Sequence, residues 1–257
     1  MSELPDLAPD PWAGLRAFTA ARIALGRVGT SVPLREALAF KLAHAHARDA
    51  VYSGLETDQL AAELAALSLL VCRVSSRALT RQEYLQRPDR GRQLSEVSKA
   101  QLAEQAPATG CDLVIVLADG LSATATNTHA LPLLRLLLPE LQSVGLRLGP
   151  LVLAEQARVA LGDEVGHLLR ARLVLVLLGE RPGLSAPDSL GAYFTYAPRP
   201  GLTDEARNCV SNIRPAGLVY PAAAAKLAWL LREAGRRQLS GVALKDQTEA
   251  PLLRGAE

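Results

Sequence analysis

The pattern of hydrophobic and polar residues is sharpest between Arg172 and Pro198. Residues 173–178 form a continuous apolar run, bounded by Arg172 and by the polar turn at residues 179–183. A run of this length between polar boundaries is typical of a strand that is buried on both faces. The next run, at residues 190–196, alternates more strongly and carries aromatic residues, so it predicts a neighbouring strand with one wetter face.

Two further apolar runs, at residues 112–118 and 151–154, predict strands that precede this one. Helical patterns separate the three strands. One begins after the turn at residues 119–122, with Pro132 and Pro139 as candidate breaks, and a shorter one covers residues 163–170. Strands that alternate with helices in this way are joined by parallel, right-handed crossovers. The sequence therefore predicts an α/β fold with a Rossmann-like, doubly wound and mainly parallel sheet.

The chain before this sheet has a mostly helical pattern. Helices are predicted at residues 12–25, 33–51, 55–70 and 95–110, with a short strand at residues 72–78. Beyond the sheet, residues 208–215 are interpreted as a polar loop and residues 221–237 as a final helix. The predicted divisions are a flexible lead at residues 1–11, a mostly helical N-terminal region at 12–110, a Rossmann-like domain at 111–246 and a flexible tail at 247–257.

Composition narrows the classes of function. The chain has 257 residues, of which 49% are hydrophobic and 21% charged, and its formal net charge is +2 at pH 7. The basic residues are scattered among acidic ones, which argues against a nucleic-acid surface. No apolar run approaches the ~20 residues that span a bilayer, and the three cysteines form no C-x-x-C pair. The sequence thus predicts a cytoplasmic protein with reduced thiols that binds neither nucleic acid nor membrane.

Polar turns follow the three buried strands at the points where the strands end. They lie at residues 119–122, 155–156 and 179–183. Because the carboxyl ends of parallel strands meet at one edge of a sheet, these turns are the best candidates for a small-molecule site. The first turn, DGLS, has one glycine, and neither the G-x-G-x-x-G dinucleotide motif nor the phosphate-binding P-loop is present.

Residue chemistry alone leaves the roles of the individual side chains open. Glu180 is explained equally well by an internal ion pair with Arg181 and by contact with a ligand. Asp119 is interpreted as a cap of the helix that follows it. No histidine follows Cys209, so a packed or ligand-contacting thiol is favoured over a nucleophile. These residues form no complete catalytic constellation.

Arginines and histidines supply the remaining candidates. Four arginines around one turn are interpreted as a solvated face, with an acidic partner or a phosphate as the alternative. They are Arg81, Arg87, Arg90 and Arg92. His44 and His46 are two positions apart, so they point to different faces of their predicted helix. The sequence therefore predicts no metal site.

Six segments of the chain together resemble the small subunit of ethanolamine ammonia-lyase. They occur in the order of that family, and GERPGL followed by CVSNI is the most specific combination. The segments are ARIALGRVG at residues 21–29, RPDRGRQL at 87–94, DGLS at 119–122, GERPGL at 179–184, YAPR at 196–199 and NCVSNIRP at 208–215.

The resemblance implies a subunit of an adenosylcobalamin-dependent lyase that converts ethanolamine to acetaldehyde and ammonia. In that family a large TIM-barrel subunit holds the substrate and the radical chemistry, and the small subunit closes over the cobalamin. The positions that match its cobalamin contacts are Val159, Glu180 and Cys209. The resemblance implies that these residues bind the cofactor, that this chain carries no catalytic residue, and that several large and small subunits form a hetero-oligomer.

Two departures from related patterns refine this expectation. The chain lacks the D-x-H-x-x-G motif, so we expect the cofactor to keep its own dimethylbenzimidazole on cobalt. Enteric members of the family have a longer N-terminal extension that is associated with bacterial microcompartments, whereas eleven residues precede Trp12 here. The short lead argues against packaging in a microcompartment, although an amphipathic segment at residues 12–25 can still contact a partner helix.

Two other classes of function stay open at this point. One is a stand-alone Rossmann-like enzyme that uses another small ligand. The other is a non-catalytic assembly subunit in which the turns at the sheet edge are structural.

Overall fold

A computed structural model describes residues 10–67 and 69–246 of the chain. Its strands form one mixed sheet, and helices cover that sheet. The α/β class that the alternating patterns predict is therefore confirmed. Most of the predicted lead and all of the predicted tail lie outside the described residues.

Six strands make up the sheet within the described residues. Their bounds are β1 Val71–Ser75, β2 Cys111–Ala118, β3 Leu151–Glu155, β4 Ala171–Gly179, β5 Leu190–Tyr196 and β6 Arg207–Ile213. They lie in the order β1-β3-β2-β4-β5-β6. The first four in this order pair in parallel, whereas β5 and β6 are antiparallel additions at one edge. Since β1 pairs with β3, the sheet takes in a strand from the predicted N-terminal region.

Helices cover both faces of this sheet. The α-helices in the described part of the chain are α1 Leu34–Tyr52, α2 Thr57–Ala66, α3 Arg81–Gln86, α4 Glu96–Glu104, α5 Ala123–Ser143, α6 Leu161–Leu168 and α7 Tyr220–Arg237. α5 continues through Pro132 and Pro139, so neither predicted break occurs. None of the helices in residues 10–67 and 69–246 is long and apolar enough to cross a membrane.

Alternate side chains of the central strands point to opposite faces of the sheet. On β2, Leu113, Ile115 and Leu117 join a core that includes α5 and α7. Val114 and Val116 join a second core with residues of α4 and α6. The prediction of strands buried on both faces is confirmed, and the carboxyl ends of β2, β3 and β4 lie between two layers of helices.

Two predicted elements are wrong. Residues 12–25 hold a short 3-10 helix, Ala13–Ala17, in which no residue is buried. Helical spacing does not suffice there because most helix stability comes from packing. Residues 208–215, predicted as a loop, contain most of β6, in which only Arg207, Val210 and Ile213 are buried. Because β6 is an edge strand with an irregular register against β5, its sequence lacks a clear alternating pattern.

Candidate functional site

The turns after β2 and β4 touch through their main chains. The Leu121 N–H donates a hydrogen bond to the Gly179 carbonyl oxygen over 2.9 Å. Gly120 has a φ of +56°, and a Cβ on it would overlap that same oxygen. A Cβ on Gly179 would overlap the Ser122 carbonyl oxygen. Both positions therefore require glycine, because the turn at residues 119–122 and the turn at residues 179–183 lie against each other at the carboxyl edge of the sheet. These two turns are called the crossing turns below.

Asp119 ties the turn after β3 to this crossing. Its carboxylate oxygens accept the Gln156 N–H over 2.7 Å and the Ala157 N–H over 2.9 Å. Burial raises the pKa of Asp119 to about 6, against the opposing effects of the Ala157 N–H and of Arg81. The predicted helix-cap role is wrong, because the carboxylate binds another turn. The predicted convergence of the three turns is confirmed.

A cavity of about 590 Å³ opens beside the crossing turns. Val159, Glu180 and Cys209, the residues that the resemblance assigns to cofactor binding, all line it. Leu121 and Leu178 add apolar surface to the same wall. The structure therefore brings the three candidate residues together, while their contact with a cofactor stays a prediction.

The Glu180 carboxylate is held by neutral groups from neighbouring segments. Its Oε2 accepts the Ser189 hydroxyl hydrogen over 2.5 Å and the Asn212 N–H over 3.4 Å. Its Oε1 lies 3.5 Å from the Tyr193 hydroxyl oxygen. Within the described residues Arg181 is not among its partners, so the ion-pair alternative is wrong. Glu180 is thus a fixed acceptor on the cavity wall.

Cys209 lies opposite Tyr193 in the pairing of β5 with β6. Its side chain is exposed, whereas Cys72 and Cys111 are buried. Although Cys209 reaches solvent, the protein on its cavity side desolvates the thiol and raises its pKa. A thiol that stays protonated at neutral pH is a poor nucleophile. This environment agrees with a packed or ligand-contacting thiol.

Alkylation with iodoacetamide is expected to modify Cys209 before the two buried thiols. Because the pKa of Cys209 is raised above the ordinary thiol value of ~8.5, its reaction rate should rise about tenfold between pH 7 and pH 8. Peptide mass mapping of a time course measures both site and rate, with the Cys209→Ser chain as the control. Equal labelling of all the thiols in the native chain would contradict the burial of Cys72 and Cys111.

The Arg-rich turn after β1 contains paired and unpaired guanidiniums. The ion pairs are Arg81–Asp119, Arg87–Asp89 and Arg90–Glu83. Arg92 is exposed, lines the cavity and forms no ion pair within residues 10–67 and 69–246. The solvated-face interpretation therefore fails for Arg81, which lies at the crossing turns, and the phosphate alternative stays open for Arg92.

Tyr84 is a cavity residue that the sequence does not reveal. It is almost fully buried, and the guanidiniums of Arg81 and Arg158 both lie over its ring, each 4.6 Å from the ring centroid. Its hydroxyl donates to the Ala157 carbonyl oxygen over 3.3 Å, and burial raises its pKa to about 12. Arg81 and Tyr84 share α3, but Arg158 comes from a segment far away in the chain, so no local pattern predicts the cluster.

Comparison with known proteins gives one consistent result. A family model described as Ethanolamine ammonia-lyase light chain matches residues 9–245. A Ralstonia nicotianae protein named ethanolamine ammonia-lyase small subunit is 54% identical over 246 residues, covering 95% of this chain and 91% of the relative. Proteins of the same name from Azotobacter vinelandii and Rhodopseudomonas palustris are 53% and 56% identical over 258 and 234 residues. These matches cover 100% and 91% of this chain, and 96% and 89% of the relatives.

Proposed function

Because the chain belongs to the ethanolamine ammonia-lyase light chain family, we propose that it is the small subunit of an adenosylcobalamin-dependent ethanolamine ammonia-lyase. In this proposal the chain closes the cobalamin site of the large catalytic subunit and contributes no catalytic residue itself. The observation that carries the proposal is the cavity beside the crossing turns, because Val159, Glu180 and Cys209 all line it.

The chemistry of the cavity wall fits the edge of a corrinoid. A corrin ring is broad and apolar and is fringed with amides, so it suits the apolar side chains of Leu121 and Leu178 and the carboxylate oxygens of Glu180. Arg158 adds a buried Nε–H that has no hydrogen-bond partner among the described residues, which leaves a donor free for a ligand. The cofactor, when bound, supplies the radical chemistry that converts ethanolamine to acetaldehyde and ammonia.

The size of the cavity supports a site shared with another chain. Pockets of roughly 300–1,000 Å³ enclose drug-sized ligands, and this cavity has about 590 Å³. Adenosylcobalamin is much larger than such ligands, so this chain would cover one side of it and the large subunit the other. A protein partner is also supported by α1, which buries Ala50 alone and exposes Leu34, Leu38 and Leu42.

We also propose a division of the chain into two regions. Parallel strands with helices on both faces support a Rossmann-like, doubly wound domain at residues 111–246, preceded by a mostly helical region at residues 12–110. β1 would then be an addition to that domain from the earlier region. We place the assembly in the cytoplasm, as a hetero-oligomer of several large and small subunits.

Co-purification with the large subunit tests the subunit role. Acetaldehyde release from ethanolamine is expected only when both chains and adenosylcobalamin are present. A chain that stays alone, binds no cobalamin and restores no activity would overturn the proposal.

Replacing Glu180 with alanine is expected to weaken the binding of adenosylcobalamin to the two-subunit complex by about ten- to one-hundredfold, since hydrogen bonds to charged groups contribute ~1.5–3 kcal/mol. Visible-absorption titration measures the affinity, and acetaldehyde release at limiting cofactor should fall in parallel. Glu180→Gln keeps an acceptor oxygen and should lose less. Glu104→Ala, at the exposed end of α4, is the matched control. Unchanged affinity in Glu180→Ala would favour a purely structural assembly subunit.

A further inference from the structure

The charges on the cavity wall do not balance. The cationic side chains that line it are Arg92, Arg158, Arg181 and Arg207, and the anionic ones are Glu180 and Asp204. Arg207 is already neutralised, because it pairs with Asp163 and with Asp204. The other three guanidiniums form no ion pair in the described part of the chain. The wall therefore carries an excess of positive charge and favours a ligand with an anionic group.

Arg158 is held in place, and its buried Nε–H has no partner among the described residues. Its guanidinium stacks on the Tyr84 ring, and its Nη2 donates to the Tyr84 carbonyl oxygen over 3.2 Å. Its main-chain N–H donates to the Gly91 carbonyl oxygen over 2.8 Å, and this bond fixes the position of the Arg158 main chain. The Nε–H is buried and has no partner among residues 10–67 and 69–246. A donor that is already fixed loses little entropy when it binds an acceptor.

Arg92 reaches the same wall from the Arg-rich turn. It directly follows Gly91, whose carbonyl oxygen binds the main chain of Arg158. A Cβ on Gly91 would lie 3.1 Å from the Arg158 Cγ and 2.9 Å from the Tyr84 ring, so the two segments pack closely. The arginines before Arg92 in the turn are paired with carboxylates, which leaves Arg92 as the member of this turn that faces the cavity without a counter-charge.

We propose that Arg92 and Arg158 form a subsite for the phosphodiester group in the nucleotide loop of the bound cobalamin, an inference that rests on the proposed function above. The phosphodiester is the anionic group of that loop, and planar guanidiniums bind phosphate oxygens through parallel N–H bonds. Cobinamide, the corrinoid without a nucleotide loop, lacks this group. The subsite lets the complex distinguish the complete cofactor from its incomplete form.

The test compares two corrinoids on the complex of this chain with its large subunit. Visible-absorption titration gives the affinities for adenosylcobalamin and adenosylcobinamide in the native complex and in the Arg92→Gln and Arg158→Gln complexes. Each substitution is expected to weaken adenosylcobalamin binding by about ten- to one-hundredfold and to leave adenosylcobinamide binding unchanged. Arg87→Gln, in the same turn but exposed and paired with Asp89, is the matched control and should change neither affinity.

The possible outcomes separate this inference from the proposed function. Equal losses for both corrinoids would overturn the inference, because the arginines would then act only through the shape of the wall. Arg92 is exposed, so its variant keeps the test decisive even if Arg158→Gln fails to fold. A native complex that binds neither corrinoid would refute the proposed function itself.

Competition with inorganic phosphate tests whether the two arginines bind the phosphodiester of the cofactor or a free anion. Competition between inorganic phosphate and adenosylcobalamin on the native complex, lost in the Arg92→Gln complex, would support the phosphodiester subsite. Phosphate binding that leaves the adenosylcobalamin affinity untouched would assign the arginines to a free anion and overturn the inference.

Discussion

Replacing Gly179 with alanine is expected to lower the free energy of unfolding by about 4 kcal/mol or more, a loss that few single substitutions cause. The added Cβ would overlap the Ser122 carbonyl oxygen and lie 2.6 Å from its carbon. These main-chain atoms cannot move aside alone, because the Leu121 N–H is bonded to Gly179 and the Ser122 hydroxyl donates to the Pro187 carbonyl oxygen over 2.9 Å. The crossing turns would have to separate, which would open the edge where the cavity lies.

Urea denaturation followed by circular dichroism measures this loss. Gly54→Ala is the matched control, because no atom lies within 4 Å of a Cβ placed on Gly54. Its change should stay within about 0.5 kcal/mol. If Gly179→Ala were as stable as this control, the turns could not cross as described.

Replacing Arg207 with methionine is expected to cost about 3–5 kcal/mol of stability, because it leaves a buried carboxylate without its counter-charge. The side chains of Arg207 and Asp163 are 4% and 3% exposed. Methionine fills the apolar part of the space but offers no donor to Asp163. Urea denaturation of the native and variant chains at pH 7 measures the difference.

The loss should depend on pH with a defined sign. In the native chain burial raises the pKa of Asp163, and Arg207 opposes that rise. Without Arg207 the pKa of Asp163 rises further above its unfolded value of ~3.9. Such a group contributes stability below its unfolded pKa that is lost as the pH rises through its folded pKa. The difference in the free energy of unfolding between the Arg207→Met variant and the native chain should therefore be smaller at pH 5 than at pH 7.

Asp204 provides the control at the other end of the same guanidinium. Its side chain is 82% exposed, so Asp204→Asn should change the free energy of unfolding by less than about 1 kcal/mol. Equal losses in Arg207→Met and Asp204→Asn would contradict burial of the charge as the cause.

The centre of this fold is predictable from its sequence because its burial is simple. β2 and β4 are covered on both faces, so nearly continuous apolar runs mark them. β6 lies at the edge of the sheet, where only some of its residues face the core, and its sequence therefore looks like a loop. Residues 12–25 show the opposite error, since their helical spacing has no core to pack against.

The candidate site is also predictable from the sequence only in part. Parallel strands bring their carboxyl ends together, so the order of strands and turns is enough to predict that Asp119 and Gly179 lie close. The groups that hold Glu180, such as Ser189 and Tyr193, come from the next strand and the residue before it, and the apolar pattern does not show which of their side chains face Glu180. Cys209 enters through the family resemblance, and its contact with a cofactor stays a prediction.

A contact between main-chain atoms can be inherited without any particular side chain. The hydrogen bond from Leu121 to Gly179 would form with other residue types at position 121, and only the two glycines are restricted, since all other amino acids would add a Cβ there. Substitutions of the side chains around the cavity are therefore compatible with unchanged positions of the two turns.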